Sequence, residues 1–212
     1  MNRLPTWVRQ HIVGLRVLLL FTVICGIVYP LVMTGIAQVA FHKQADGSLV
    51  SSNGRTVGSS LLCQEFVDAK GNPLPQYFQS RPSSAVNAAV KNDPGCNAEY
   101  SAASNLGPTN PDLIQAIKQR QKQIEAFDHV KVSQIPPDAV TASGSGLDPG
   151  ISPQNAAIQV DRIAAARNTS PAAVQALVEQ YTEGRPLGFL GEPQVNVLLL
   201  NIALDQNFPV GH

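Results

Sequence analysis

VLLLFTVICGIVYPLVMTGIAQVAF, residues 17–41, runs for 25 positions without an Asp, Glu, Lys, Arg or His. About 20 apolar residues suffice for a helix to cross the hydrocarbon core of a bilayer. Gly26, Pro30 and Gly35 interrupt the run, and bilayer helices tolerate such residues better than soluble ones do. Trp7 and Tyr29 are the aromatic candidates for interfacial anchors. A core helix of a soluble protein would be shorter and polar on one side. A cleaved leader would have an apolar region of about 7–15 residues and a small-x-small site. Here the alanines of Ala37-Gln38-Val39-Ala40 stand three apart. The stretch is therefore expected to stay as an anchor.

Working outward, Arg3, Arg9 and Arg16 precede the span, and Lys43 alone lies within ten residues after it. Positive charge is retained on the cytoplasmic side, and a long translocated domain adds little to that bias. The expected layout is a cytoplasmic arm (1–16), a transmembrane helix (17–41), a juxtamembrane linker with first strands (42–60) and a soluble domain outside the cytoplasm (61–212).

Lys plus Arg and Asp plus Glu balance at 15 each. No basic stripe marks a nucleic-acid binder. Charged residues make up 14% of the chain against about 25% in ordinary soluble proteins, a deficit to which the span contributes. Cys25 lies in the span and reads as a small packing residue. Cys63 and Cys96 are the pair left for the large domain; a disulfide between them and two separate thiols are both compatible with the sequence.

Three helices are marked by a capping residue followed by proline: Asn110-Pro111, Ser152-Pro153 and Ser170-Pro171. The cap oxygen satisfies a free backbone N–H, and proline at the first helical position lacks only an N–H that had no partner. Gly184 is expected to close the third helix. Residues 44–60 read as a linker leading into a strand or hairpin, and 87–111 as a long ordered loop. Val195–Leu204 (VNVLLLNIAL) begins with strand-like alternation and reads as a strand, with a helix as the alternative for its second half. The fold class is α+β: one N-terminal transmembrane helix, then one soluble domain with at least three helices and a small β-sheet.

Catalytic motifs are hard to place. Ser143-Gly144-Ser145-Gly146 has no P-loop lysine, and Pro149 occupies the slot of the third glycine in a dinucleotide turn. No histidine lies near these serines in sequence to serve as a base, although His129 is a remote candidate. His11, His42, His129 and His212 show no metal-ligand spacing, so no metal is expected. Asp148-Pro149 reads as an Asx turn. Gln154 and Gln159 lie on the helix that follows, Gln154 in its first turn, where a free amide can meet an anion or solvent.

Four segments taken in order are more specific: YFQSRPSSA (77–85), SNLGPTNP (104–111), VTASGSGLDPGISPQNA (140–156) and LGEPQVNVLLLNIALD (190–205). Together they resemble the C subunit of the bacterial Kdp potassium-transporting ATPase, and the likeness extends along the whole chain. The resemblance implies a non-catalytic, single-pass subunit of the inner (plasma) membrane that stabilises a high-affinity potassium import pump. Its implied partners are the P-type ATPase subunit that hydrolyses ATP, a potassium-channel-like subunit, a small single-helix subunit and the lipid bilayer. No tightly bound cofactor is implied; ATP would enter through the ATPase subunit. The alternative carried by the resemblance is a catalytic chaperone that raises nucleotide affinity through Ser143, Gly144, Ser145, Gly146, Asp148 and Gln154. That role requires a cytoplasmic loop, whereas the arginine bias places the loop outside. Gly26, Tyr29, Pro30 and Gly35 are the expected positions of helix packing against partners. Two departures stand out: Cys63 occupies a position usually held by glycine, and Ser101-Ala102-Ala103 replaces Ser-Gly-Gly.

Overall fold

Proline at position 30 shapes the first helix. A proline inside a helix lacks the N–H that would reach residue i−4, here Gly26, and its ring crowds that carbonyl. In the computed structural model, which describes residues 5–90 and 93–210, the helix widens to a π-turn at Ile24–Val28 and continues through the proline. The Tyr29 N–H donates to the Ile24 carbonyl five residues back. Arg3, Lys91 and His212 lie outside the described residues. The whole helix, α1, spans Thr6–Ala40 and is long and apolar enough to cross a membrane. It therefore starts well before the apolar run, and Arg9 and Arg16 ride on its first turns.

The chain divides into two compact units, Met1–Leu49 and Val50–His212. Within the first, a Cβ at Gly26 or Gly35 would meet nothing within 4 Å. The two glycines are nine residues apart, which at about 100° per residue sets them on different sides of the helix. They do not form one close-packing seam.

The second unit opens on a hairpin of β1 (Leu49–Ser52) and β2 (Arg55–Ser59). Asn53 and Gly54 join the strands, both with positive φ (50° and 76°), the geometry of the tight turn that suits strand twist. From Ser60 to Asn110 the described chain is irregular apart from a bridge between Val67 and Pro73.

Helix α2 (Pro111–Asp128) follows, then the single turn α3 (Pro137–Val140), strand β3 (Gly150–Ile151), and helices α4 (Pro153–Ala166) and α5 (Pro171–Gln180). Strands β4 (Thr182–Glu183) and β5 (Gln194–Asn196) and helix α6 (Val197–Asn207) complete the unit. The capping pattern is realised at each of the three sites. Asn110 accepts from the Asp112 N–H at 2.8 Å, Ser152 from Asn155 at 3.0 Å and Ser170 from Ala173 at 3.2 Å.

β5 is the centre of a three-stranded antiparallel sheet, with Ile151 and Thr182 both in register with Val195. Ile151, Ile163, Val174, Val178, Val195, Leu200 and Leu204 form the buried core, and Phe78 enters it from the irregular segment with no exposed surface.

Two expectations are corrected. The apolar run 195–204 is mostly helical: the strand ends at Asn196, whose side chain accepts the Leu199 N–H at 3.1 Å and starts α6. The helical period is hidden because α6 is buried on most sides, Val197, Leu198, Leu200, Ala203 and Leu204 alike. Gly184 does not close α5. That helix ends at Gln180, the Thr182 hydroxyl donates to the Val178 carbonyl at 2.7 Å, and Gly184 follows β4.

Candidate functional site

Glycine at position 146 is dictated by space as well as by conformation. Its φ is +71°, and a Cβ there would lie 2.5 Å from the Ala102 carbonyl oxygen and 2.9 Å from the Ala85 Cβ. The chain therefore turns inward at Gly146, and its neighbours spend their polar groups on that turn. Ser143 Oγ accepts the Gly146 N–H at 2.8 Å, and Ser145 Oγ accepts the Leu147 N–H at 3.1 Å. Ser83 Oγ donates to the Gly146 carbonyl at 2.6 Å. The Ser145 carbonyl takes both the Ala102 N–H and the Ser101 hydroxyl, each at 3.0 Å. The Cys63 N–H donates to Leu147, while Cys63 and Cys96 are joined by a disulfide.

Asp148 accepts from the Gly150 N–H at 3.0 Å, as an Asx turn requires, and pairs with Arg81 Nη1 at 2.8 Å. Arg81 Nη2 reaches the Thr141 carbonyl. Arg81 Nε is buried and has no protein hydrogen-bond partner. The 140–150 loop thus ties together the segments around Cys63, Arg81–Ala85 and Ser101–Ala102. A hollow of about 600 Å³ beside it is lined by Ser143, Gly144, Ser145, Asp148 and Arg81, among others. Gln154 is not in that lining; it is exposed on the first turn of α4, so these candidates do not converge on one cavity.

Gln159, named from the sequence, acts together with polar groups that sequence reading missed. Asp138 on α3 accepts from the Ser152 N–H and hydroxyl, both at 2.8 Å, and from Asn155 Nδ2 at 3.0 Å, fixing the start of α4. Gln159 Oε1 accepts the Gln79 N–H at 2.8 Å, and its Nε2 donates to the Gln79 carbonyl at 3.2 Å. Asn201 does the same for Phe78, with both bonds at 2.9 Å. Two side-chain amides, one from α4 and one from α6, thereby pair with consecutive residues of the Tyr77–Gln79 backbone as a neighbouring strand would. This explains how a segment without regular structure can be buried without unpaired backbone groups.

Arg162, also on α4, donates Nε to Asp128 at 2.7 Å, with both side chains 5% exposed. Its other nitrogens reach Pro75 O, Tyr77 O and Gln159 Oε1, and its guanidinium lies 4.3 Å from the centre of the Phe127 ring. Desolvation pushes Asp128 above the ordinary carboxylate range, opposed by Arg162, and pushes Arg162 down. Arg167, whose side chain is fully buried, holds Gln76 and Phe208 by their carbonyls and Asp205 at 2.8 Å. The sequence signal for both was an arginine among the apolar residues of a helix end, VDRIAAAR, where Asp161 is the one other charged residue.

Between α2, α4 and the Glu65–Ser83 segment lies a cavity of about 740 Å³. Its wall carries Glu65, Arg81, Arg120 and Asp128 among apolar groups including Val67, Ile124, Phe127 and Ile158. Burial, with Asp93 adding to it, raises the Glu65 carboxyl to about 7.

A family model described as "K+-transporting ATPase, c chain" matches residues 11–206. The chain is 51% identical to the potassium-transporting ATPase KdpC subunit of Dechloromonas aromatica over 186 residues, covering 88% of this chain and 91% of that protein. The KdpC subunit of Methylococcus capsulatus is 48% identical over 91% of this chain and 95% of its own length. That of Mycobacterium tuberculosis is 47% identical over 93% and 98%.

Proposed function

Since the chain belongs to the family of K+-transporting ATPase C chains, we propose that it is the non-catalytic accessory subunit of an ATP-driven potassium import pump, which it stabilises while a partner subunit hydrolyses ATP. In this reading α1 anchors the chain in the plasma membrane, and the second unit lies outside the cytoplasm, packed against the channel-like subunit. The ATPase subunit and the small single-helix subunit are reached through the span.

The observation that carries the reading is the 140–150 loop. Its serine hydroxyls, the Gly146 and Ser145 carbonyls and the Asp148 carboxylate are engaged within the unit, which supports a scaffold rather than an open phosphate cradle. The Cys63–Cys96 disulfide supports an oxidising compartment, because such bonds are rare in the cytosol. The arginines before the span support the same orientation.

The test is labelling of intact cells with a membrane-impermeant thiol reagent after external reductant. Labelling of Cys63 and Cys96 is expected; protection until the membrane is breached would reverse the orientation. A second reading keeps direct support of nucleotide binding, favoured by the exposure of Gln154. It requires weaker ATP binding by the assembled pump on Gln154→Ala, whereas the scaffold reading expects no change.

A further inference from the structure

Two of the four charged groups on the wall of the 740 Å³ cavity are already matched. Arg81 pairs with Asp148, and Asp128 with Arg162. Glu65 and Arg120 are not: among the described residues neither has an ion-pair partner, and they do not pair with each other. Arg120 donates one nitrogen to the Val140 carbonyl at 2.9 Å, leaving the rest of a half-buried guanidinium on the wall. The charged group nearest in effect to Glu65 is another acid, Asp93, which is itself satisfied by the Asn87 and Gly95 N–H groups and the Asn97 amide. The raised Glu65 carboxyl is the behaviour of a desolvated acid with no cation beside it. The same wall carries the side chains of Val67, Ile124, Phe127 and Ile158. The volume falls within the range of small-molecule sites, about 300–1,000 Å³.

We propose that this cavity binds a small zwitterionic organic molecule, its ammonium held by Glu65, its carboxylate by Arg120, and the carbon chain between them lying on the apolar wall. All lining residues belong to the second unit, so the site is complete within this chain. With Glu65 ionised, an anion alone leaves its carboxylate without a counter-charge and a cation alone leaves Arg120 so; a molecule carrying both charges meets the two groups together. Asp148 and Asp128 do not compete for Arg120, because each is held by its own arginine.

The experiment is calorimetric titration of the oxidised full chain in detergent micelles at pH 8, where Glu65 is ionised. The probe is 5-aminovalerate, compared with pentanoate, 1-aminopentane and N-acetyl-5-aminovalerate. Saturable binding of 5-aminovalerate is expected, with each singly charged or blocked compound about tenfold weaker or worse, as loss of one charge-assisted contact implies. Glu65→Gln and Arg120→Gln are each expected to weaken it to a similar extent, while Lys122→Gln, on the same helix but outside the cavity lining, leaves it unchanged. Equal binding of pentanoate or the amine, or no saturable binding of the zwitterion, overturns the proposal. These comparisons use the unaltered protein and decide the matter even if a variant fails to fold.

Discussion

Breaking the Cys63–Cys96 disulfide perturbs the second unit at one covalent point with a calculable effect. The bond closes a loop with a sequence separation of 33. In the chain-entropy treatment a loop of that length removes roughly 12.5 cal/mol/K from the unfolded ensemble, or about 3.7 kcal/mol at 25 °C. On the folded side the loss is contained, because the segment is held by other bonds. Cys96 N–H donates to Ser83 Oγ at 2.9 Å, Asn97 N–H to the Ala85 carbonyl at 3.0 Å, and Asp93 closes its own turn on Gly95. Reduction should therefore leave the fold in place and lower its stability by about 3–4 kcal/mol, with Cys63→Ala and Cys96→Ala giving similar losses. Urea unfolding of the full chain in detergent, followed by far-ultraviolet circular dichroism with and without reductant, measures this. Tryptophan fluorescence would not serve, since the single tryptophan, Trp7, lies on α1. A loss under about 1 kcal/mol, from protein shown to be fully oxidised at the start, would refute the loop-entropy argument for this site.

Arg162→Met strands Asp128 in the interior and should cost about 3–5 kcal/mol, with much of it recovered in Arg162→Met/Asp128→Leu; thermal unfolding of the three proteins checks this. Glu65 holds its proton more tightly folded (about 7) than unfolded (4.5), so its contribution is fully present below about pH 4.5 and is lost as pH rises through 7, a fall of roughly 3 kcal/mol. Glu65→Gln should flatten that fall in denaturation curves between pH 5 and 8. Gly146→Ala meets both a φ of +71° and the Ala102 carbonyl, and should destabilise by about 2 kcal/mol or more in the same assay, whereas Gly144→Ala, with nothing within 4 Å, should cost far less.

Legibility from sequence followed how local the determining physics was. The long apolar helix and the three Pro-initiated helices were legible because each is set by its own stretch of chain: an uncharged run, or a cap oxygen two or three residues from its N–H. The hairpin at Asn53-Gly54 resolves an alternative, strand or hairpin, that residues 44–60 left open. Val197–Asn207 was obscured because burial on most sides erases the amphipathic period by which a helix is recognised. The pairing of Phe78 with Asn201, of Gln79 with Gln159, and of Asp128 with Arg162 crosses 123, 80 and 34 residues. Nothing in the local pattern distinguishes those amides from solvent-facing ones, or says which acid the arginine meets.

The same distinction bears on the glycine-rich loop. Read locally, SGSG offers amides and hydroxyls to a phosphate. In the folded unit Ser143 and Ser145 face their own backbone, Gly146 is fixed by Ala85 and Ala102, and Asp148 by Arg81. A cradle must keep its donors free until the ligand arrives, whereas a scaffold must spend them. Here the loop spends its N–H donors on its own Ser143, Ser145 and Asp148 side chains, and its carbonyls and Asp148 accept from three separate segments, while the unmatched charges, Glu65 and Arg120, lie on the wall of the other cavity. Ligand chemistry in this unit is therefore to be sought in the cavity between α2 and α4, and rigidity in the loop.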